Sequence, residues 1–144
     1  MSNPHYKKVG VIGAGTMGNG IAQVFATAGS EVLMVDAAEA ALERGQSAIA
    51  KSLARSVKKE RMTQAEADAI CARVKTSTTI ADLTDQELVV EAVVEKKAVK
   101  SSVLQELDKT LPAGTILATN TSSISITELA AATSRPDRVI GMHF

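Results

Sequence analysis

A glycine-rich turn between an apolar run and a helical segment restricts the fold of this chain more than any other feature. The turn opens directly from the apolar residues 9–12 and leads into a helix predicted over residues 21–28. A second apolar run, residues 31–35, is followed by Asp36. The six residues of the turn are Gly13, Ala14, Gly15, Thr16, Met17 and Gly18. A strand, a turn of this spacing, a helix and a second strand that ends at an acid are together typical of a βαβ unit that binds a dinucleotide.

In this interpretation, a physical reason explains why each of the three positions is a glycine. Gly13 permits a tight turn, Gly15 lets the backbone approach a pyrophosphate without a Cβ in the way, and Gly18 lets the helix pack closely on the strand. The unpaired N–H groups at the start of the helix would bind the pyrophosphate, because the helix dipole favours negative charge there. All six turn residues are therefore predicted to bind the cofactor. The alternative is a tight βαβ turn that binds no nucleotide.

The acid that follows the second strand narrows the choice of cofactor. The carboxylate of Asp36 can accept hydrogen bonds from the adenine ribose hydroxyls, and it would repel a 2′-phosphate. Residues 37–39 are Ala-Ala-Glu and offer no Arg or Lys that could bind such a phosphate. The sequence therefore favours NAD over NADP. In an alternative that is compatible with either cofactor, Asp36 only caps the next helix.

Composition excludes several classes of partner. The 144 residues predict one domain, residues 1–144, and the balance of 16 basic against 16 acidic residues indicates no nucleic-acid partner. No hydrophobic run approaches the length of a membrane span, and residues 1–8 lack the apolar region of a secretion signal. The single Cys71 excludes an intramolecular disulfide and is typical of a reducing compartment. A cytoplasmic protein without a membrane partner or a metal site is therefore expected.

Strands and helices alternate through the rest of the chain. Apolar residues at helical spacing from Leu42 to Val57 predict a long helix, and a capping box of Thr63 and Glu66 predicts a second helix that forms an antiparallel hairpin with it, standing off the sheet. Further strands are predicted at residues 75–80, 88–92, 115–118 and 138–141, and further helices at residues 95–111 and 126–132. The helix at residues 95–111 has an apolar stripe of Val99, Val103, Leu104 and Leu107. The alternation predicts an α/β fold with a doubly wound, mostly parallel sheet of the Rossmann type.

The topology of such a sheet predicts which segments meet. Right-handed crossovers place the carboxyl ends of the strands at one edge. Asp36 and residues 92–95, 120–122 and 142–144 should therefore converge there. This convergence does not by itself identify a reaction.

Four separate motifs occur along the chain. They are VGVIGAGTMGNGIA at residues 9–22, VVEAVVE at residues 89–95, ATNTSSISIT at residues 118–127 and GMHF at residues 141–144. In their order and spacing they resemble the L-3-hydroxyacyl-CoA dehydrogenase family, which includes the bacterial 3-hydroxybutyryl-CoA enzymes. The resemblance implies NAD-dependent interconversion of 3-hydroxyacyl-CoA and 3-ketoacyl-CoA, with an acyl-CoA as the substrate.

The resemblance implies catalytic roles for two residues. Ser122 matches the serine that contacts the 3-oxygen of the substrate and the nicotinamide region, so it is implied both in catalysis and in substrate binding. His143 matches the histidine that acts as general base toward the 3-hydroxyl, a role suited to an imidazole because it exchanges a proton near neutral pH. From the residues alone, Ser122 could be a turn or capping hydroxyl, and His143 a strand-end histidine without a role.

Four residues match binding positions of the family. Glu95 and Lys100 match positions near the nicotinamide ribose and the substrate cleft, and they are implied as NAD contacts. Ser52 and Lys59, on the predicted hairpin, match positions that contact coenzyme A. The alternative for each of the four is an ordinary polar residue on a helix.

The family pattern continues past His-Phe into a second, all-helical domain. By resemblance, that domain supplies the glutamate that orients the histidine, much of the acyl site and a homodimer interface. The chain is therefore interpreted as the cofactor domain of a dehydrogenase, and by itself it is expected to be largely inactive. Two alternatives stay open: another NAD(P)-linked 3-hydroxy acid dehydrogenase, and an NAD-binding module without catalytic activity.

Overall fold

A six-stranded sheet organises the computed structural model, which describes residues 5–144. Its strands are β1 Lys8–Ile12, β2 Glu31–Val35, β3 Val74–Ser77, β4 Leu88–Glu91, β5 Ile116–Thr119 and β6 Val139–Gly141. The order across the sheet is β3-β2-β1-β4-β5-β6. Strands β2 and β3 thus lie on one side of β1, and β4, β5 and β6 lie on the other. Every strand pairing in the described part of the chain is parallel. The predicted doubly wound sheet is confirmed.

Residues 5–144 form five α-helices. They are α1 Thr16–Thr27, α2 Glu39–Lys58, α3 Gln64–Arg73, α4 Lys97–Thr110 and α5 Ile126–Ala131, with short 3-10 helices at Ile80–Leu83 and Pro136–Arg138. The first helix begins at Thr16 and not at residue 21. The glycine turn runs directly into the helix, because packing against the sheet overrides the low helix propensity of Gly18 and Gly20.

Helices α2 and α3 form the predicted hairpin, and the predicted capping box begins α3. The hydroxyl of Thr63 accepts a hydrogen bond from the N–H of Glu66 at 3.1 Å, and the Glu66 carboxylate accepts one from the N–H of Thr63 at 3.3 Å. The prediction that the hairpin stands off the sheet is wrong. Its side chains Leu42, Ile49, Leu53, Ala67 and Ile70 belong to the same buried core as strands β1 and β2. Burial of each leucine or isoleucine there stabilises the fold by about 1.5–3 kcal/mol.

Two apolar cores cover the two faces of the sheet. On one face, α1, α2 and α3 pack over side chains that include Val9, Val11, Val32, Met34 and Val90. On the other face, α4 and α5 pack over side chains that include Ile12, Val35, Val89, Leu117 and Val139. Because both faces are covered, the central strands are continuous apolar runs.

Strand β3 and helix α4 are shorter than predicted. Strand β3 ends at Ser77 and not at residue 80, because Ser77 pairs with Val35, the last residue of β2. Helix α4 begins at Lys97 and not at residue 95. Its predicted apolar stripe is partly wrong, because Val99 is exposed, whereas Lys100 is buried beside the leucines.

Among residues 5–144, no helix has the length and apolar character needed to cross a membrane. In the same residues, no three or more His, Cys, Asp and Glu side chains come together in a way that could hold a metal ion. The prediction that residues 1–8 carry no secretion signal falls partly on residues 1–4, which lie outside the described residues.

Candidate functional site

The glycine turn joins β1 to α1 at the carboxyl edge of the sheet. Gly13 has a φ of +103°, and a Cβ on it would lie 2.6 Å from the carbonyl oxygen of Ala92. A Cβ on Gly18 would overlap the carbonyl oxygen of Gly13. A Cβ on Gly15, in contrast, would meet no atom of residues 5–144 within 4 Å. The fold itself therefore requires Gly13 and Gly18, whereas the space over Gly15 is open to a ligand that approaches the backbone closely.

The start of α1 presents backbone donors that have no acceptor among residues 5–144. The first hydrogen bond at this end runs from the N–H of Asn19 to the carbonyl of Gly15 at 2.9 Å. The N–H groups of Thr16, Met17 and Gly18 thus lie outside the helical ladder, and no side chain of the described residues caps them. These donors and the open space over Gly15 fit the pyrophosphate of a dinucleotide, because the helix dipole stabilises its charge.

Asp36 links the glycine turn to the next helix. Its carboxylate accepts hydrogen bonds from the N–H groups of Ala14 and Ala38, both at 3.0 Å. The N-cap residue of α2 is Ala38. Asp36 therefore does more than cap that helix, because it also holds the glycine turn, and its contact with a ribose stays a prediction.

A cavity of about 530 Å³ opens beside this acid, and we call it the Asp36 cavity. Its walls include Val35, Asp36, Thr79, Ile80, Val103 and Glu106. The apolar side chains suit the flat face of a purine. A 2′-phosphate would find two carboxylates and no Lys or Arg among the lining residues. The cavity therefore fits NAD better than NADP.

A second cavity, of about 550 Å³, lies over the ends of β4, β5 and β6, and we call it the Ser122 cavity. Its walls are formed by residues 15–17, 92–95, 120–122 and 143–144. They differ from the segments predicted to converge at this edge in three ways: residues 15–17 of the glycine turn join them, Asp36 lines the other cavity, and Met142 packs against the core. The structure thus brings Ser122, His143 and Glu95 together beside the glycine turn.

Glu95 holds the loop that carries Ser122. Its carboxylate accepts hydrogen bonds from the hydroxyl of Thr121 at 2.8 Å and from the N–H of Ser122 at 3.1 Å. The Thr121 hydroxyl, with help from the Ser122 N–H and the Lys100 ammonium, holds the pKa of Glu95 below its ordinary value, although desolvation opposes them. Glu95 therefore faces the cavity as an anion at neutral pH. Its contact with NAD stays a prediction, and Thr121 is a residue of the site that sequence reasoning misses.

Ser122 and His143 are both exposed where they line the cavity. In the described part of the chain, neither side chain makes a hydrogen bond or an ion pair with another residue. Both side chains are thus available to a substrate. Their catalytic roles stay predictions.

Lys100 is 1% exposed, so the alternative of an ordinary surface charge is wrong. Its ammonium donates to the carboxylate of Glu91 at 2.8 Å and to the carbonyl of Asn120 at 2.9 Å. Lys100 lines neither cavity, and its contact with NAD stays a prediction. Sequence reasoning assigns no role to Glu91, although a single acid inside an apolar strand is a signal for a buried partner.

The residues implied in coenzyme A binding lie on the hairpin. The hydroxyl of Ser52 is half-buried and accepts a hydrogen bond from the side-chain amide of Gln23 at 3.0 Å. Lys59 directly follows α2, is exposed, and makes no ion pair within residues 5–144. Neither residue lines the two cavities. Their contact with coenzyme A stays a prediction.

Comparison with known proteins identifies relatives along almost the whole chain. Residues 8–144 match the family model described as 3-hydroxyacyl-CoA dehydrogenase, NAD binding domain. The 3-hydroxybutyryl-CoA dehydrogenase of Mycobacterium tuberculosis is 48% identical over 139 residues, which are 96% of this chain and 49% of that protein. The probable 3-hydroxybutyryl-CoA dehydrogenase of Bacillus subtilis is 45% identical over 138 residues, which are 96% of this chain and 48% of that protein.

Solved structures agree with these relatives. The crystal structure of (S)-3-hydroxybutyryl-CoA dehydrogenase from Ralstonia eutropha matches with a TM-score of 0.94 at 49% identity, and the match covers 96% of this chain and 49% of that one. The chain thus spans about half the length of the relatives it matches. With the glycine turn, the Asp36 cavity and these matches in agreement, the chain belongs to the 3-hydroxyacyl-CoA dehydrogenase family and corresponds to its NAD-binding domain.

Proposed function

We propose that this chain is the cofactor domain of an enzyme that interconverts L-3-hydroxyacyl-CoA and 3-ketoacyl-CoA with NAD. The observation that carries the proposal is the Ser122 cavity, where an available serine hydroxyl and an available imidazole lie beside the open glycine turn. The names of the relatives, which are 3-hydroxybutyryl-CoA dehydrogenases, support the same substrate class.

The chain's own residues divide the work of holding the cofactor. The N–H groups at the start of α1 would bind the pyrophosphate, and Asp36 would bind the adenine ribose. NAD bound in this way supplies the acceptor for the hydride that leaves C3 of the substrate. Glu95, an anion on the wall of the Ser122 cavity, would contact the nicotinamide end.

Two side chains would act on the 3-oxygen of the substrate. In the oxidation, the imidazole of His143 accepts the proton of the 3-hydroxyl, so that the oxygen can form a carbonyl with C3. The hydroxyl of Ser122 donates a hydrogen bond to the same oxygen while negative charge develops on it. Because Glu95 binds the N–H of Ser122 at 3.1 Å, the backbone of that serine is fixed in the cavity wall. In the reduction, His143 returns the proton.

The hairpin supports an acyl-CoA over a free 3-hydroxy acid. Lys59 offers an exposed ammonium without an ion-pair partner among residues 5–144, which suits a phosphate of coenzyme A. Ser52 lies on α2, seven residues before Lys59, which directly follows that helix. A free 3-hydroxy acid would have no phosphate for this surface to bind.

Turnover assays on a protein extended to the length of its relatives test the proposal. We expect NADH consumption with acetoacetyl-CoA and not with free acetoacetate. Lys59→Gln should raise the KM for acetoacetyl-CoA with little change in kcat, because it removes a contact made equally before and during the reaction. Lys109→Gln, an exposed lysine on α4, is the matched control. Turnover of free acetoacetate alone would show that the protein is a 3-hydroxy acid dehydrogenase. NADH binding without any turnover would show that it is a binding module without catalytic activity.

A further inference from the structure

A buried ion pair lies directly behind the wall of the Ser122 cavity. Glu91, the last residue of β4, and Lys100, near the start of α4, are 0% and 1% exposed. Their carboxylate and ammonium are 2.8 Å apart. The same carboxylate accepts hydrogen bonds from the hydroxyl of Thr119 at 2.6 Å and from the N–H of Val93 at 2.7 Å. Neither member of the pair lines the cavity.

Stability alone does not explain this pair. Removing two charges from water costs about as much as their attraction returns, and well-packed apolar residues of similar volume often serve a fold equally well. Strand β4 is otherwise apolar and fully buried, so an apolar residue would suit its last position. The reason for a buried ion pair at this position therefore lies in the neighbouring groups that the pair holds in place.

Lys100 connects the pair to the loop that carries Ser122. Its ammonium donates to the carbonyl of Asn120 at 2.9 Å and lies 3.6 Å from the carboxylate of Glu95. Glu95 in turn accepts hydrogen bonds from the two residues that follow Asn120. Lys100 thus holds Asn120, and Glu95 holds Thr121 and Ser122. Glu91 holds Lys100 from the interior.

We propose that Glu91 and Lys100 are positioning residues for the Ser122 cavity. Glu91 fixes the ammonium of Lys100, and Lys100 fixes the Asn120 carbonyl and restrains Glu95 beside the loop. Glu91 then affects cofactor binding through Lys100 and the loop that Lys100 holds. The inference rests on the proposed function only where it concerns the chemistry of Ser122.

Glu91→Gln tests the inference, because it keeps the shape of the side chain and removes the charge that holds Lys100. In the 144-residue chain, hydrogen exchange of the Ser122 amide should quicken by about tenfold or more. The NADH dissociation constant, measured by fluorescence, should rise by about tenfold. Asp108→Asn is the matched control, because it breaks another ion pair of α4, in which Asp108 and the buried Arg135 are 2.7 Å apart. It should lower stability and leave both readouts unchanged.

A double variant, Glu91→Gln with Lys100→Met, covers the case in which the single variant does not fold. It leaves no unpaired buried charge, yet it still removes the donor to Asn120, so both readouts should change in the same way. Unchanged exchange with weakened NADH binding would make Lys100 a direct cofactor contact and would overturn the inference. Unchanged NADH binding would overturn it as well. Neither readout uses an acyl substrate, so this failure is distinct from a failure of the proposed function, which turnover decides.

Discussion

The carboxylate of Asp36 lies 3.0 Å from the backbone nitrogen of Ala14, the second residue of the glycine turn. The acid after β2 therefore holds the turn after β1, in addition to facing the cavity where a ribose would lie. One side chain thus supports both the pyrophosphate site and the ribose site. Its removal should affect cofactor binding through both.

We expect Asp36→Ala to weaken NADH binding by about 1–3 kcal/mol, the range for the loss of a charged hydrogen-bond acceptor. The unmodified chain should bind NADH more tightly than NADPH, because a 2′-phosphate would face two carboxylates and no cation in the Asp36 cavity. Fluorescence titration with both nucleotides measures this difference. Asp68→Ala, an exposed acid on α3, is the control. Equal affinities for NADH and NADPH would contradict the role given to Asp36.

Two glycines of the turn should respond in opposite ways to an added side chain. Gly15→Val should abolish NADH binding and leave the thermal unfolding midpoint nearly unchanged, because the branches would occupy open space that the pyrophosphate needs. Gly18→Ala should destabilise the fold by about 1–3 kcal/mol, because its Cβ would overlap the carbonyl of Gly13. A Gly15→Val chain with undiminished NADH affinity would show that the turn is only structural.

The Asp108–Arg135 pair should make stability depend on acid pH. Arg135 is buried, and its guanidinium also donates to carbonyl oxygens at and after the end of α4. Burial raises the pKa of Asp108, but hydrogen bonds from Ser134 and Arg135 outweigh it, and the pKa lies below its ordinary value of 3.8. A carboxyl whose pKa is lower in the folded state stabilises the fold above the unfolded-state pKa, and this contribution is lost as the pH falls through the folded-state pKa.

We therefore expect the free energy of unfolding to fall as the pH drops below about 4. Urea unfolding at a series of pH values measures the slope. Asp108→Asn should be less stable at neutral pH and should show a shallower acid slope, because position 108 no longer titrates. An unchanged slope in this variant would assign the acid dependence to other carboxyls.

Activity should depend on His143 and on a closed site. In a protein extended to the length of the relatives, His143→Gln should lower kcat by about 10²–10⁴-fold, the usual range for loss of a general base. His5→Gln, which changes the other histidine of the sequence, is the control. The 144-residue chain alone should show little turnover, because Ser122 and His143 are exposed and water exclusion and substrate alignment are lost. Comparable rates of acetoacetyl-CoA reduction by the two proteins would contradict this expectation.

The glycine turn, Asp36 and the capping box at Thr63 could be predicted because their signals are local. Each depends on residues a few positions apart, and in each the backbone conformation restricts the residue type. The alternation of strands and helices likewise predicts the parallel sheet and the edge at which the site forms. The start of α1 differs from the prediction only because packing against the sheet outweighs the helix propensity of glycine.

The environment of Lys100 could not be predicted in this way. A lysine between Val99 and Val103 suggests a surface position, yet it is Val99 that is exposed. Burial of Lys100 depends on Glu91 in β4 and on Asn120 after β5, and nothing in the helix itself indicates those partners. The same limit applies to the hairpin, because the amphipathic pattern shows which face is apolar and not which surface covers it.

Strand β1 lies between the two halves of the sheet, so the residues that affect nucleotide preference and those that affect substrate preference lie mostly in different halves. About half of the lining of the Asp36 cavity comes from the ends of β2 and β3, and most of the lining of the Ser122 cavity follows β4, β5 and β6, with Val93 shared by both. A substitution near Asp36 can alter which nucleotide is accepted without displacing Ser122 or His143. Substitutions around Ser122 can likewise adapt the site to another substrate while the nucleotide preference persists. The nucleotide preference and the substrate preference of such a domain can therefore change largely separately.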